Sequence, residues 1–149
     1  MRVYGLFALT RIIETIQLQH LMDDGASVRP HVNQIETSVY IRYDGIVRYC
    51  RENDIAVMAF SPFGRGIMKM DEDAVLMSIA SKHGATPGEI ALAYLLKQGL
   101  AATFYSSKLE RMRGNVAACD IDLDESDVEK LEGLQRSASW GLPSPYTLS

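Results

Sequence analysis

Asn53-Asp54-Ile55-Ala56-Val57-Met58-Ala59-Phe60-Ser61-Pro62-Phe63-Gly64-Arg65-Gly66 starts polar, runs apolar from Ile55 to Phe60, and then breaks into Ser, Pro, Gly and Arg. The apolar run lacks polar alternation, which predicts a strand buried on both faces, as in a parallel sheet with helices outside. The Gly- and Pro-containing break that follows predicts a loop at the carboxyl end of that strand.

Outward from this stretch, strands and helices alternate. On the amino-terminal side, Arg2 to Phe7 reads as a first strand. Ile12, Ile13, Ile16, Leu18 and Leu21 follow at largely helical spacing until Asp23-Asp24-Gly25 ends the pattern. His31 to Glu36 reads as a second strand, and Asp44 to Asn53 as a helix whose apolar side carries Ile46, Val47, Tyr49 and Cys50. On the carboxyl-terminal side, Asp73 to His83 predicts a helix closed by Gly84. Thr86-Pro87-Gly88-Glu89 then combines an N-cap Thr, a first-turn Pro and a third-position Glu, a capping box that starts a helix over Pro87 to Gln98. Ala102 to Tyr105 reads as a fourth strand, Leu109 to Ala118 and Asp124 to Leu134 as helices, and 137–149 as an irregular tail. Such alternation implies parallel strands with right-handed crossovers, and ligand sites at the strands' carboxyl ends.

At 149 residues, with 47% hydrophobic and 23% charged, the chain suits one compact core. A formal charge of −4 and scattered Lys and Arg speak against a nucleic-acid face. No apolar run approaches the roughly 20 residues of a membrane span, and the first residues lack the pattern of a signal peptide. A cytoplasmic location is expected. Cys50 and Cys119 lack metal-ligand spacing and read as reduced, buried thiols, and no metal site is expected.

Taken together, Val32-Asn33-Gln34-Ile35-Glu36 with Tyr40, Ala59 to Gly66, Ile79 to Pro87 with Ala91-Leu92-Ala93, and Ser106 with Arg111 and Asn115 resemble the aldo-keto reductases. That family comprises NADP(H)-dependent carbonyl oxidoreductases on an eight-stranded β/α barrel of TIM type. The matches correspond to its carboxyl-terminal half, strands five to eight, which implies an α/β half-barrel of four parallel strands with flanking helices over residues 1–136. By the resemblance, Gln34 takes the position that bonds the nicotinamide carboxamide, and Phe60 the position of an aromatic ring that stacks on the nicotinamide. Ser61 and the backbone of Phe63, Gly64 and Gly66 approach the pyrophosphate. Ser106 and Arg111 hold the adenosine 2′-phosphate, and Asn115 contacts adenine. A guanidinium fork suits the phosphate, and an amide suits the carboxamide because it both donates and accepts.

Departures from the family pattern weaken this site. Gly5-Leu6-Phe7-Ala8 stands for Gly-x-Ser-Asn, Ser38 and Val39 stand where His-Pro is common, and Tyr105 stands for a phosphate-gripping lysine. Gly114 replaces a polar or acidic residue next to Asn115. The family's catalytic Asp, Tyr, Lys and His belong to strands one to four and find no counterpart, so no catalytic residue is assigned. The expectation is a truncated reductase with weak or vestigial NADP(H) binding and no activity alone; the alternative is a non-catalytic binding or regulatory module. A third reading is a trimmed reading frame. Two open sheet edges, Val3 to Phe7 and Thr103 to Tyr105, and an open face bearing Val32, Gln34, Val57 and Ala59 predict a homodimer or a complex with an amino-terminal half-barrel.

Overall fold

The computed structural model describes residues 8–10, 15–25, 28–64 and 67–134. In chain order the elements are β1 (Ala8–Thr10), α1 (Thr15–Asp23), β2 (Val32–Glu36), α2 (Asp44–Glu52), β3 (Ala56–Phe60), α3 (Ala74–His83), α4 (Pro87–Lys97), β4 (Ala101–Thr103), α5 (Leu109–Ala117) and α6 (Glu125–Glu132). Single 3₁₀ turns at Met70–Glu72 and Ala118–Asp120 precede α3 and follow α5. The expected first strand, 2–7, and the expected irregular tail, 137–149, lie outside the described residues. The described first strand begins at Ala8.

All four strands pair in parallel in the order β1-β2-β3-β4, each joined to the next through at least one helix. The fold is therefore an α/β arrangement of four parallel strands with flanking helices. Register sets Thr10 beside Gln34, Gln34 beside Met58, and Met58 beside Ala101. Two residues further on, Glu36, Phe60 and Thr103 form the last row at the carboxyl ends. None of the described helices is long and apolar enough to cross a membrane.

Among the described residues, the helices cover one face of this sheet. Asn33, Ile35 and Ala59 are fully buried and Val57 nearly so, packed with Ile46, Cys50, Leu76, Ile90 and Tyr94. On the opposite face Val32, Gln34, Glu36, Met58 and Phe60 are half-buried, and Ala56, Ala101 and Thr103 are exposed. This corrects two expectations. β3 is not buried on both faces, and Val57 and Ala59 belong to the covered side. The run reads as two-sided because its open-face residues, Ala56, Met58 and Phe60, are themselves apolar, so hydropathy hides the alternation that burial shows. The open edges are likewise β1 and β4 as described, Ala8–Thr10 and Ala101–Thr103, with Phe104 and Tyr105 beyond the strand.

Helix ends explain much of the chain's local order. The Asp73 side chain accepts from the Val75 and Leu76 N–H groups at 3.0 and 3.2 Å, and its other oxygen takes the Tyr40 hydroxyl at 3.0 Å, tying the loop after β2 to the start of α3. α3 ends at Gly84, whose φ of 61° is the left-handed cap that glycine adopts without a Cβ penalty. The predicted capping box at Thr86 and Glu89 is formed in both directions. Cys50 is buried against Asn33, whose amide donates to Sγ at 3.6 Å; burial pushes the thiol up, with the Asn33 contact opposing, so it stays protonated and inert. Cys119, expected to be buried, is exposed, because it sits in the 3₁₀ turn after α5 rather than on a core-facing strand or helix.

A buried carboxylate locks α6 to α3. Asp127 accepts from Lys82 Nζ at 2.8 Å and lies 2.7 Å from His83 Nε2, while exchanging capping bonds with Asp124. Burial works to raise its pKa, but the bonds from Lys82, His83 and the Asp124 N–H outweigh it and hold the carboxyl at about 2. A carboxyl lowered in the folded state contributes stability above its unfolded pKa and loses it as pH falls through the folded value. The thermal midpoint of the protein is therefore expected to fall between about pH 4 and pH 2. Asp127→Asn should lower the midpoint at pH 7 and flatten this acid limb. A midpoint unchanged at neutral pH would contradict the role of this contact.

Candidate functional site

The carboxyl ends of β2, β3 and β4 converge on the open face. Gln34 and Phe60 both point there, since Gln34 pairs with Met58 and Phe60 lies two residues beyond it on the same face. The Gln34 amide donates to Met58 Sδ at 3.4 Å. A thioether is a weak acceptor, so this bond orients the amide while leaving it ready to exchange for a better partner. Register places Met58 beside Gln34, a relationship that the apolar run alone does not disclose.

β3 ends abruptly at Ser61, whose φ of 53° lies in the left-handed region, uncommon outside glycine and frequent at functional turns. Gly64 repeats the left-handed geometry at φ 62°. The Gly64 N–H donates to the Ser61 carbonyl at 2.8 Å, closing a tight turn. That bond consumes one of the amides expected to face a pyrophosphate. Phe63 lies within that turn, and Gly66 lies outside the described residues. The Phe63 ring packs on Phe104, centroids 5.7 Å apart, and lies over Gly88 at the start of α4. The Phe63 side chain thus holds the loop against α4 and the segment after β4.

The remaining expected residues lie on the connection that leaves β4, the strand beside β3. Ser106 Oγ accepts from the Lys108 N–H and donates to the Lys108 carbonyl, both at 3.3 Å, forming a small turn before α5. Lys108 is the N-cap of α5 and supplies no side-chain bond to it, so the first-turn N–H groups lack a side-chain cap. Arg111 is exposed one turn in, and Asn115, four residues later, is half-buried on the same helix face. Gly114 adjoins the α4 capping box: a Cβ built on it collides with the Glu89 carboxylate and stands 3.1 Å from its Cδ. Sequence reading gave Glu89 a capping role only, because nothing in the one-dimensional pattern links α4 to α5.

Among the described residues, several other titratable side chains are held by partners of their own. Tyr40 bonds Asp73, Tyr94 accepts from Arg42 Nη1 at 3.0 Å, and His83 meets Asp127. His31 precedes β2, at the amino ends of the strands.

The sequence pattern described as "Aldo/keto reductase family" matches residues 10–136. Mouse (Mus musculus) aldo-keto reductase family 1 member C18 is 32% identical over 131 residues, 81% of this chain and 41% of the mouse protein. The NADPH-dependent D-xylose reductase of Candida boidinii is 33% identical over 122 residues, 74% of this chain and 38% of the yeast protein. Among solved structures, a Gox0644 mutant in complex with NADPH superposes with a TM-score of 0.78 at 26% identity, covering 85% of this chain and 46% of that one. The chain thus spans about two fifths of the length of these curated relatives.

Proposed function

The chain belongs to the aldo/keto reductase family, and from that premise we propose that it is the cofactor-binding part of a carbonyl reductase barrel, equivalent to strands five to eight, with an NADP(H) site at the carboxyl ends of β2 to β4. Residues 1–136 form this half-barrel, with 137–149 as a tail outside it. The observation that carries the proposal is the meeting, at one sheet rim, of an oriented amide, an open-face aromatic ring and a left-handed turn, with an α5 start that no side chain caps beside them. The solved relative bound to NADPH supports the choice of ligand.

The residues present fit the group. Gln34 can trade its weak Met58 contact for the nicotinamide carboxamide, and Phe60 offers a ring face on which the nicotinamide can stack. Ser61, Phe63 and Gly64 belong to the turn that approaches the pyrophosphate, where glycine admits the backbone closely, and Gly66, outside the described residues, completes the proposed contact set. Ser106, the first-turn amides of α5 and the Arg111 guanidinium receive the 2′-phosphate, and Asn115 receives adenine. The cofactor, when bound, supplies the hydride; this chain's residues hold and orient it. Binding is weak, because the Gly64 amide is engaged within its own turn and Tyr105 stands where a lysine would add charge.

We assign no catalytic residue, and propose that the chain alone is inactive. A second reading, a non-catalytic binding or regulatory module, is favoured by the open sheet face. Unpaired cysteines fit a reducing, cytoplasmic setting.

Titration calorimetry tests the site. NADP⁺ should bind more tightly than NAD⁺, and Arg111→Ala should weaken NADP⁺ by about tenfold or more, the worth of a hydrogen bond to a charged group, while leaving NAD⁺ nearly unchanged. Equal losses for the two nucleotides, or no binding of either, would refute the assignment.

A further inference from the structure

The geometry points to Glu89 as the residue that selects adenine in this site. Its carboxylate, seated in the gap left by Gly114 beside Asn115, accepts a hydrogen bond from the base's exocyclic amino group. The inference rests on the nucleotide site proposed above.

Glu89 is fixed from its own helix. Oε2 accepts the Thr86 N–H at 2.8 Å, and Thr86 Oγ1 accepts the Glu89 N–H at 3.3 Å, so the side chain cannot swing freely into solvent. Oε1 is the oxygen turned toward α5, where only a glycine leaves room for it. On α5, Arg111 neighbours Gly114 at three residues' spacing and Asn115 at four, so one strip of helix surface carries the phosphate-binding guanidinium, the cleft filled by the carboxylate, and the amide. A carboxylate has acceptor capacity beyond the one bond to Thr86 and has no proton to give. It suits the 6-amino group of adenine and repels a 6-oxo group, whereas the Asn115 amide can serve either base by rotating. Discrimination between the two bases must therefore come from Glu89. Gly114 is the enabling residue: the absence of a side chain on α5 lets an acid from α4 occupy the space.

Calorimetry with NADP⁺ and with its hypoxanthine analogue, in which a 6-oxo group replaces the amino group, reads this directly. The unaltered chain should prefer the adenine nucleotide by about tenfold or more, as expected for a hydrogen bond to a charged acceptor. Glu89→Ala should bring the ratio close to one. Glu89→Gln, which preserves the capping box and still presents an oxygen, should retain part of the preference. Gly114→Ala, which displaces the carboxylate without removing it, should lower the ratio with Glu89 intact, and it carries the test if Glu89→Ala does not fold. NADP⁺ binding with no base preference, or a preference that survives both Glu89→Ala and Gly114→Ala, overturns the role of Glu89 while leaving the nucleotide site standing. Binding of neither nucleotide overturns the site itself, and this inference with it.

Discussion

Purified protein supplied with NADPH and an aldehyde such as nitrobenzaldehyde is expected to oxidise no cofactor above the uncatalysed rate. Reduction of a carbonyl needs a proton delivered to the developing alkoxide as the hydride arrives, and a positioned acid contributes about 10² to 10⁴ in rate. The described tyrosine hydroxyls and imidazoles that could serve are engaged elsewhere or misplaced. Tyr40 donates to the carboxylate that caps α3, Tyr94 is buried against Arg42, and His83 is bound to Asp127. Tyr105 is 90% exposed beyond β4, and His31 stands at the opposite end of β2. The open face adds a second deficit. A substrate above Phe60 meets solvent where a closed barrel would hold a wall, so the orientation that makes hydride transfer effectively intramolecular is not enforced. Turnover in the range of ordinary enzymes by the purified chain alone, abolished by removing NADPH, would sink this expectation. Activity that returns only on mixing with an amino-terminal half-barrel would support it.

The helical half of this fold was legible because caps are local. Thr86, Pro87 and Glu89 announce α4 within four residues, and Gly84 closes α3 at the position read from sequence. The reciprocal cap at Asp124 and Asp127 is equally local, but an aspartate at the third position departs from the Glu or Gln of the capping-box pattern, so the spacing alone does not announce it. The second, third and fourth strands lie within a few residues of the positions that the sequence predicts, while their faces do not follow from it. Val57 and Ala59 were placed on the open side, yet face depends on which side the helices pack, a long-range choice that an apolar run with alanine and methionine on its exposed side cannot announce. The site was legible as residue types in family order; its working details were not. That Gln34 rests on Met58, that the Gly64 amide is spent within its turn, and that Glu89 reaches across to Gly114 all depend on register or on helix–helix packing, which no local pattern encodes.

The same open face makes assembly the second large expected effect. Among the described residues β1 and β4 are sheet edges, each presenting unpaired backbone N–H and C=O groups along one side, and between them Val32, Met58 and Phe60 leave apolar surface only partly covered. A two-fold dimer answers both needs if β1 of each chain pairs with β4 of the other, giving eight parallel strands around a shared interior and an isologous contact. An amino-terminal half-barrel would fill the same role in place of the second copy. Light scattering on purified protein at micromolar concentration is therefore expected to give twice the chain mass, or concentration-dependent association where the partner half is missing. Met58→Lys distinguishes pairing through this face from a contact elsewhere. The lysine points to the open side, so the helix-packed core of the monomer is untouched, but closure would bury an ammonium without a partner, at a penalty of several kcal/mol. The dimer's dissociation constant should then rise by about a hundredfold or more. A Met58→Lys protein that dimerises as before would place the interface away from the open face. A stable monomer of the unaltered chain with a cooperative thermal transition would show that four strands, with one face open, suffice.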